Sequence, residues 1–391
     1  MRRSKVDAAV VGGGVVGAAC ALMLARQGLD VALVEGREPL PWSRTEPGLR
    51  VFAIAPDNAG LLQTLGVWPE IVERRVQPYR RMRVWDAANA RSELCFDADA
   101  FGRCELGWIV EHGLLVDRLW AALRAEGVTG YCPARVTGLE QRNGVARLRF
   151  EDGGRLDAGI AIAADGADSM LRSLAGAKVT THGYGQRGVV AYVETAQPNE
   201  ATAWQRFLPT GPLAFLPFGG WSSIVWSLPD TEAERVLALD EAAFGQELTN
   251  AFAARLGAVR LASARTAFPL RRQLVDRYIA GRVLVIGDAA HAVHPLAGQG
   301  VNLGLRDVAG LRRGIVDAQS RRVDWTAPHR LQRWARERRS DNTIAAYSFD
   351  AINRVFSNQE THLSLLRGPL LGLAGKLPPL TRALWRRAAG L

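Results

Sequence analysis

The sequence predicts a mixed α/β fold: a nucleotide-binding unit interrupted by an antiparallel β-sheet and closed by a helical, basic C-terminal segment. Three stretches predict it. Residues 6–37 read as strand, glycine-rich turn, helix and strand; residues 160–172 and 282–307 each run an apolar strand into an Asp-Gly or Gly-Asp pair ahead of a new helix. Strands of a parallel sheet are covered on both faces, so they read as short continuous apolar runs rather than alternating ones.

Residues 6–11 are the first such run. Gly12, Gly14 and Gly17 follow at G-x-G-x-x-G spacing, where the strand turns into a helix. Gly12 permits the tight turn, Gly14 lets the backbone approach a pyrophosphate, and Gly17 lets helix and strand pack closely. The helix over 15–27, opening with Val15 and Val16, presents its free amides and positive dipole end to phosphate. Gly28 stops it, and residues 30–34 form a second buried strand. That strand ends in Glu35, 21 residues beyond Gly14, where a ribose-binding acid belongs. Strand, helix, strand and acid in register indicate an adenine-dinucleotide site. The start Met1-Arg2-Arg3-Ser4-Lys5 imitates a signal peptide, but Asp7 and the glycines 12–14 break the apolar core that such a segment needs. They equally break a membrane span, which takes roughly 20 apolar residues.

With 48% hydrophobic and 23% charged residues, the 391-residue chain has the composition of a soluble globular protein long enough for two domains or one domain with a subdomain. Cys20, Cys95, Cys104 and Cys132 are scattered without C-x-x-C or metal-ligand spacing, which fits free thiols in a reducing cytoplasm. The net charge of +10 is uneven: residues 321–391 hold 13 Lys and Arg against 5 Asp and Glu, so +8 sits in the last 71 positions. No nucleic-acid motif accompanies this excess, so an anionic membrane surface is the expected counterpart and nucleic acid is not.

Residues 37–48 are rich in Pro, Ser and charge and read as a loop, with a helix through 58–65 ending at Gly66. Strands are expected at 83–85 and 93–96, a helix at 114–124, and a hairpin of 135–139 with 145–150 about Arg142-Asn143-Gly144. Asp165-Gly166 ends the strand that begins at Ile160, and Asp168-Ser169 is placed to cap the next helix. An ordinary strand–turn–helix, with Asp165 as a turn former, accounts for that stretch equally well. Residues 186–263 change character: strand-like runs at 189–194, 204–208, 213–217 and 222–227 alternate with Pro and Gly turns. Their aromatics (Trp204, Phe207, Phe215, Phe218, Trp221 and Trp226) are expected in a core rather than along a ligand wall. A helix is expected at 241–256. The strand 283–286 runs into Gly287-Asp288, and Gly298-Gln299-Gly300 leads into a helix beginning near Val301. An acid at a strand end followed by a glycine-rich helix start is where open α/β sheets bind ligands. His291 and His294 have no third ligand nearby, and Pro295 breaks any shared helix, so no metal site is expected.

Taken together, the G-x-G-x-x-G motif, Asp165-Gly166 and Gly287-Asp288 resemble the flavoprotein aromatic hydroxylases with the fold of para-hydroxybenzoate hydroxylase, over nearly the whole chain. The branch that hydroxylates polyprenyl phenols in ubiquinone biosynthesis is closer still. Arg50-Val51-Phe52-Ala53-Ile54, Leu65-Gly66-Val67-Trp68, the segment 204–212 (WQRFLPTGP) and the tail 337–342 (ERRSDN) carry that closer likeness. The resemblance implies a Rossmann-like, GxGxxG-type FAD-binding domain with an inserted antiparallel β-sheet substrate domain and a helical C-terminal segment. Its expected divisions are 1–75, 107–180 and 270–330 for the FAD-binding parts, 76–106 and 181–269 for the substrate domain, and 331–391 for the basic segment.

The resemblance also implies roles. Gly12, Gly14, Val15, Val16 and Gly17 would hold the FAD pyrophosphate, Glu35 the adenosine ribose, and Gly36, Arg37 and Arg50 neighbouring parts of the cofactor. Asp165 and Gly166 would lie near FAD and the NADPH or NADH pyrophosphate, and Gly287 and Asp288 at the ribityl chain. Pro295, Gly298, Gln299, Gly300, Val301 and Asn302 would border the isoalloxazine, with Pro295 and residues 298–300 lining the reaction chamber. Members often show N-R-x-x-Q where this chain has His112-Gly113-Leu114-Leu115-Val116, so a usual flavin contact is missing and Arg118 is the expected substitute.

The implied chemistry is ring hydroxylation through a C4a-hydroperoxyflavin, with O2 and a lipophilic phenol as substrates. It needs no catalytic triad, and none stands out. The basic, leucine-rich segment 362–391 is expected either to lie on an anionic membrane or to pack as a helix with a solvated basic face. The implied setting is cytoplasmic, peripheral at the inner face of the membrane, within reach of a ubiquinone-biosynthesis complex. A halogenase would typically show W-x-W-x-I-P, which is absent. A flavin-dependent prenyl reductase and a non-catalytic flavoprotein subunit are the alternatives.

Overall fold

The computed structural model describes residues 5–87, 89–293, 300–356 and 378–390. The first strand, β1 (Lys5–Val11), gives way at Gly14 to α1 (Val15–Arg26), and β2 (Val31–Val34) follows. Residues 17–24 of α1 are all buried, so this helix is covered on every side rather than amphipathic. Next come β3 (Val51–Ile54), α2 (Pro56–Thr64), α3 (Trp68–Arg74), β4 (Gln77–Tyr79), β5 (Arg81–Asp86) and β6 (Asn89–Asp97). After β7 (Gly107–Glu111) and α4 (His112–Ala125) lie β8 (Thr129–Tyr131), β9 (Val136–Arg142), β10 (Val145–Phe150) and β11 (Arg155–Ala163). The β9–β10 hairpin turns on Asn143 (φ 51°) and Gly144 (φ 74°), the left-handed pair that a two-residue turn requires.

The short helix α5 (Met170–Leu174) precedes the long strand β12 (Val179–Thr195) and β13 (Thr202–Leu208), β14 (Gly211–Phe218) and β15 (Trp221–Pro229). Two helices, α6 (Asp230–Ala238) and α7 (Glu241–Ala251), lead to β16 (Val259–Leu261), β17 (Thr266–Val275), β18 (Ile279–Ala280), β19 (Val283–Val285) and β20 (His291–Ala292). The chain closes with α8 (Gly300–Ser320), α9 (Pro328–Phe356) and α10 (Pro378–Ala389).

Three sheets result. The first runs β18-β19-β11-β1-β2-β8, parallel from β19 to β8, with the β9–β10 hairpin joined to β11. The second runs β20-β17-β12-β15-β14-β13-β5-β6. It is antiparallel except where β13 meets β5. The third, small sheet is β3-β7-β4. Strands β12 and β17 pair from Val179–Val275 to Val190–Thr266, with a register shift between Gly183 and Arg187.

Side chains alternate across the second sheet. Val189, Ala191 and Val193 pack with Phe244, Leu248 and Phe252 of the helical layer, whereas Tyr192, Leu216 and Phe218 face the small sheet and Trp385. Trp204, Phe207, Phe215, Phe218 and Trp226 are buried and Trp221 partly so, which makes these aromatics core.

Candidate functional site

Strand register builds the site. Val11 pairs with both Ala163 and Val34, and Ala163 pairs with Val285. The carboxyl ends of β1, β2, β11 and β19 therefore stand in one row, and the residues that follow them (Gly12, Glu35, Ala164 and Ile286) start from a common edge. Backbone bonds extend the row by one residue: Gly12 N–H donates to Val34 O, Ala164 N–H to Val11 O, and Ile286 N–H to Ala163 O. Segments far apart in sequence thus meet at the sheet edge where open α/β folds take ligands.

The three glycines differ in what surrounds them. Gly12 has φ +106°, and a Cβ there would lie 2.3 Å from Ala164 O. A Cβ on Gly17 would stand 1.9 Å from Gly12 O, so helix and turn touch through bare backbone. Gly14 meets nothing within 4 Å. Directly beside it, the first α1 hydrogen bond runs from Ala18 N–H to Gly14 O. The amides of Val15, Val16 and Gly17 therefore have no intrahelical acceptor. Open space over Gly14 and three unpaired amides at a positive helix end fit a pyrophosphate. Glu35 Oε2 accepts from Gly13 N–H at 2.5 Å and Oε1 from Arg37 N–H at 3.1 Å, which fixes the carboxylate at the row's end. Gly36 packs beside Arg135, and Arg37 and Arg50 are exposed, Arg50 lying over Phe52.

Asp165 works inside its own turn. Ser169 Oγ donates to Asp165 Oδ1, and Leu171 N–H donates to Oδ2 at 3.1 Å. Ser169 caps α5 by accepting from Arg172 N–H; Asp168 instead pairs with Arg271. Gly166 holds a left-handed φ of +87° with open space around it. Arg172, buried, donates to Ala167 O at 2.9 Å and Ala289 O at 2.8 Å, tying the Asp-Gly turn to the Gly-Asp turn.

The Gly-Asp turn is braced from beneath. Asp307 Oδ2 accepts from Gly287 N–H at 3.0 Å and bonds His291 Nε2 at 2.6 Å, while Oδ1 accepts from Asn342 Nδ2 at 3.0 Å. His291 and Asp307 are wholly buried, so His291 has a structural partner. Val16 packs against Gly287 and Gly304, where an added Cβ on Gly304 would lie 2.5 Å from Val16 Cγ2. Asp288 is exposed. Val301 and Asn302 are buried at the start of α8. The Asn302 side chain turns to the protein: Oδ1 accepts from Ala55 N–H and Asn58 Nδ2, and Nδ2 donates to Ala53 O at 2.7 Å. Its carbonyl oxygen also accepts from Asn58 Nδ2 at 3.2 Å, which leaves its N–H to face a ligand. His294 and Pro295 through Gln299 lie outside the described residues; Gly300 opens α8.

Sequence reasoning overlooked several residues. Trp120 Nε1 donates to Gly13 O at 2.7 Å, and its ring occupies the space a Gly13 Cβ would need. Buried Glu111 accepts from Trp42 Nε1, Gly48 N–H and Arg75 Nε, fastening the loop between β2 and β3. The one signal for Glu111 is its place immediately before a helix start. His112, next to it, stacks edge-on with Phe52, and burial together with nearby Arg50 pushes its pKa down to about 4. Arg118 bonds Glu70 at 2.9 Å and Asp117, so it is already paired with two carboxylates. It sits two residues from Trp120, on a different face of α4.

The described part of the tail is α10 (Pro378–Ala389), which packs as a helix. Thr381, Trp385 and Ala389 form the buried stripe of α10, and Trp385 stacks on Phe101 at 4.6 Å, so this apolar stripe faces protein. Leucines 363–377 lie outside the described residues. No helix among the described residues is long and apolar enough to cross a membrane.

Comparison with known proteins agrees with this geometry. The family model described as FAD binding domain matches residues 5–340. The 3-demethoxyubiquinol 3-hydroxylase of Escherichia coli K12 is 36% identical over 394 residues, covering 100% of both chains. Ubiquinone hydroxylase UbiL of Rhodospirillum rubrum is 36% identical over 98% of this chain and 89% of its own. Among solved structures, p-nitrophenol 4-monooxygenase PnpA of Pseudomonas putida superposes with a TM-score of 0.80 at 18% identity, covering 99% of each chain.

Proposed function

Since the chain belongs to the FAD-binding-domain family of flavoprotein monooxygenases, we propose that it hydroxylates the aromatic ring of a polyprenyl phenol in ubiquinone biosynthesis, with NADPH or NADH as reductant. The observation that carries this reading is the end-to-end likeness to a 3-demethoxyubiquinol 3-hydroxylase, 36% identical over the full length of both chains. The row of strand ends supports it, because its glycines and free amides suit the pyrophosphate of FAD.

In this reading Gly12, Gly14 and Gly17 with the amides of Val15 and Val16 hold the pyrophosphate, and Glu35 takes the ribose hydroxyls. Asp288 reaches the ribityl chain from its exposed position, and the amides that open α8 at Gly300 and Val301 favour negative charge on the ring system. Arg37 and Arg50, both exposed, would neighbour other parts of the cofactor. Bound flavin supplies the activated oxygen: one atom of O2 enters the ring as hydroxyl, and the other leaves as water with two electrons from the nicotinamide. The protein's part is to position the ring and exclude water. The enzyme works in the cytoplasm, its basic C-terminal segment against the anionic inner face of the membrane, where a polyprenyl substrate resides and partner enzymes of the pathway can assemble.

The test is turnover of a short-chain prenylphenol under ¹⁸O₂ by the purified, yellow protein. A product heavier by one ¹⁸O atom is expected. Flavin reduction with an unlabelled product would overturn the hydroxylase and favour a prenyl reductase; a flavin that no nicotinamide reduces and a phenol left unchanged would favour the non-catalytic subunit.

A further inference from the structure

The turn before β7 and the last helix enclose a recess of about 520 Å³ that the catalytic reading does not use. Its floor is the stacked pair Phe101 and Trp385, with rings 13° from parallel. Arg103, Arg382 and Arg386 line it. Arg103 lies over the Trp385 ring at 5.4 Å, and Arg382 reaches only a backbone oxygen, that of Ala100 at 3.5 Å. None of the three has a carboxylate partner among the described residues. Asp99, beside Ala100, pairs with Arg80 at 2.7 Å.

The helix that carries two of these arginines is fixed in place. Besides the buried stripe of α10, Arg306 donates to Ala388 O at 2.8 Å and holds Asp57 at 2.6 Å, pinning the helix end to α2 and α8. Arg382, Arg386 and Arg387 consequently share the exposed side of α10. Three guanidinium groups lining one recess, with no carboxylate partner among the described residues, suit an oxyanion, and a phosphate matches their planar donor geometry best. The residues 321–391 that contain this helix carry +8 of the chain's +10, which favours a charged surface over an isolated small anion.

We propose that Arg103, Arg382 and Arg386 form a phosphate-binding recess that seats the headgroup of an anionic phospholipid and so docks the protein on a membrane. Docking is by charge, because the apolar stripe of α10 is covered by the protein itself. This deepens the membrane part of the proposed function and rests on that reading for its purpose; vesicle binding is measured without substrate, so it fails or stands separately from hydroxylation.

The experiment is co-sedimentation of the full-length protein with phosphatidylcholine vesicles, with and without phosphatidylglycerol. Wild type should sediment only with phosphatidylglycerol present. The variant Arg103→Gln/Arg382→Gln/Arg386→Gln should bind at least about tenfold more weakly. Its equal-charge control Arg322→Gln/Arg336→Gln/Arg339→Gln, at exposed positions of the same basic region, should lose clearly less. Equal loss in both variants would reduce the effect to net charge and overturn the recess; so would unaltered binding by the first. Titration of glycerol 3-phosphate and inorganic phosphate separates the two sources of phosphate. Saturable, recess-dependent binding of these soluble ions without vesicle binding would overturn the membrane assignment.

Discussion

Gly14 and Gly17 are the same residue type three positions apart, yet the chain needs them for different reasons. Alanine at 17 would place its methyl carbon 1.9 Å from Gly12 O, so the turn and the helix must part. Gly17→Ala should cost roughly 3 kcal/mol or more of folding stability, read from the urea midpoint of the apoprotein. Alanine at 14 meets open space, and its backbone, at φ −67°, suits any residue. Gly14→Ala should keep wild-type stability yet bind FAD on the order of tenfold more weakly, because the methyl occupies the pyrophosphate's approach. Flavin fluorescence quenching measures this. A stable Gly14→Ala protein with unaltered FAD affinity would remove the pyrophosphate from this turn. The division of labour was legible in the sequence, since G-x-G-x-x-G spacing assigns each glycine a task. The part of Gly13 was not: its carbonyl and its missing side chain matter only because Trp120 arrives from α4, 107 residues away.

Elements were legible where a local signal names them. The three strand–turn–helix stretches, the Asn-Gly hairpin and the antiparallel runs of the second sheet all stand where their patterns put them. Helices α3 and α6 went unread, as did β7, because short elements carry too few residues for a period to emerge. Contacts across elements left little local trace, and Glu111 is the instructive case. Its carboxylate, buried where β7 becomes α4, receives donors from Trp42, Gly48 and Arg75, and Arg75 also donates to Arg44 O and Ser43 O. A single acid thereby holds the loop that leads from Glu35 to Arg50. Its removal leaves Arg75 without its charge partner and the loop without its anchor. Glu111→Gln should cost about 3 kcal/mol and speed tryptic cleavage after Arg37 and Arg44 several-fold. Loss of stability with the loop still protected would show that Glu111 serves the core alone.

On the scale of the whole molecule, the question is whether the nucleotide-binding sheet and the second sheet melt together. Their main hydrophobic cores are separate: one surrounds β1, β2, β11 and α1, and two more lie on opposite faces of the second sheet, beside a small cluster of Val84, Leu94 and Phe207. Between them stands the small sheet β3-β7-β4, whose faces belong to different cores. Ile54 and Val110 point into the first, whereas their neighbours Ala53 and Ile109 pack with Tyr192 and Phe218. A wall common to two cores cannot be lost from one and kept for the other. Asn302 strengthens it by binding Ala53, Ala55 and Asn58 from the start of α8. Calorimetry of the apoprotein should therefore show one transition, despite the length of the chain. At the proposed site FAD would bind only the folded row of strand ends, so at a hundredfold excess over its dissociation constant it adds about 2.7 kcal/mol, or about 3 °C for a protein of this size. The whole transition should move by that amount. Two transitions, of which FAD raises only one, would mean that the long strands and the shared wall leave the sheets energetically independent.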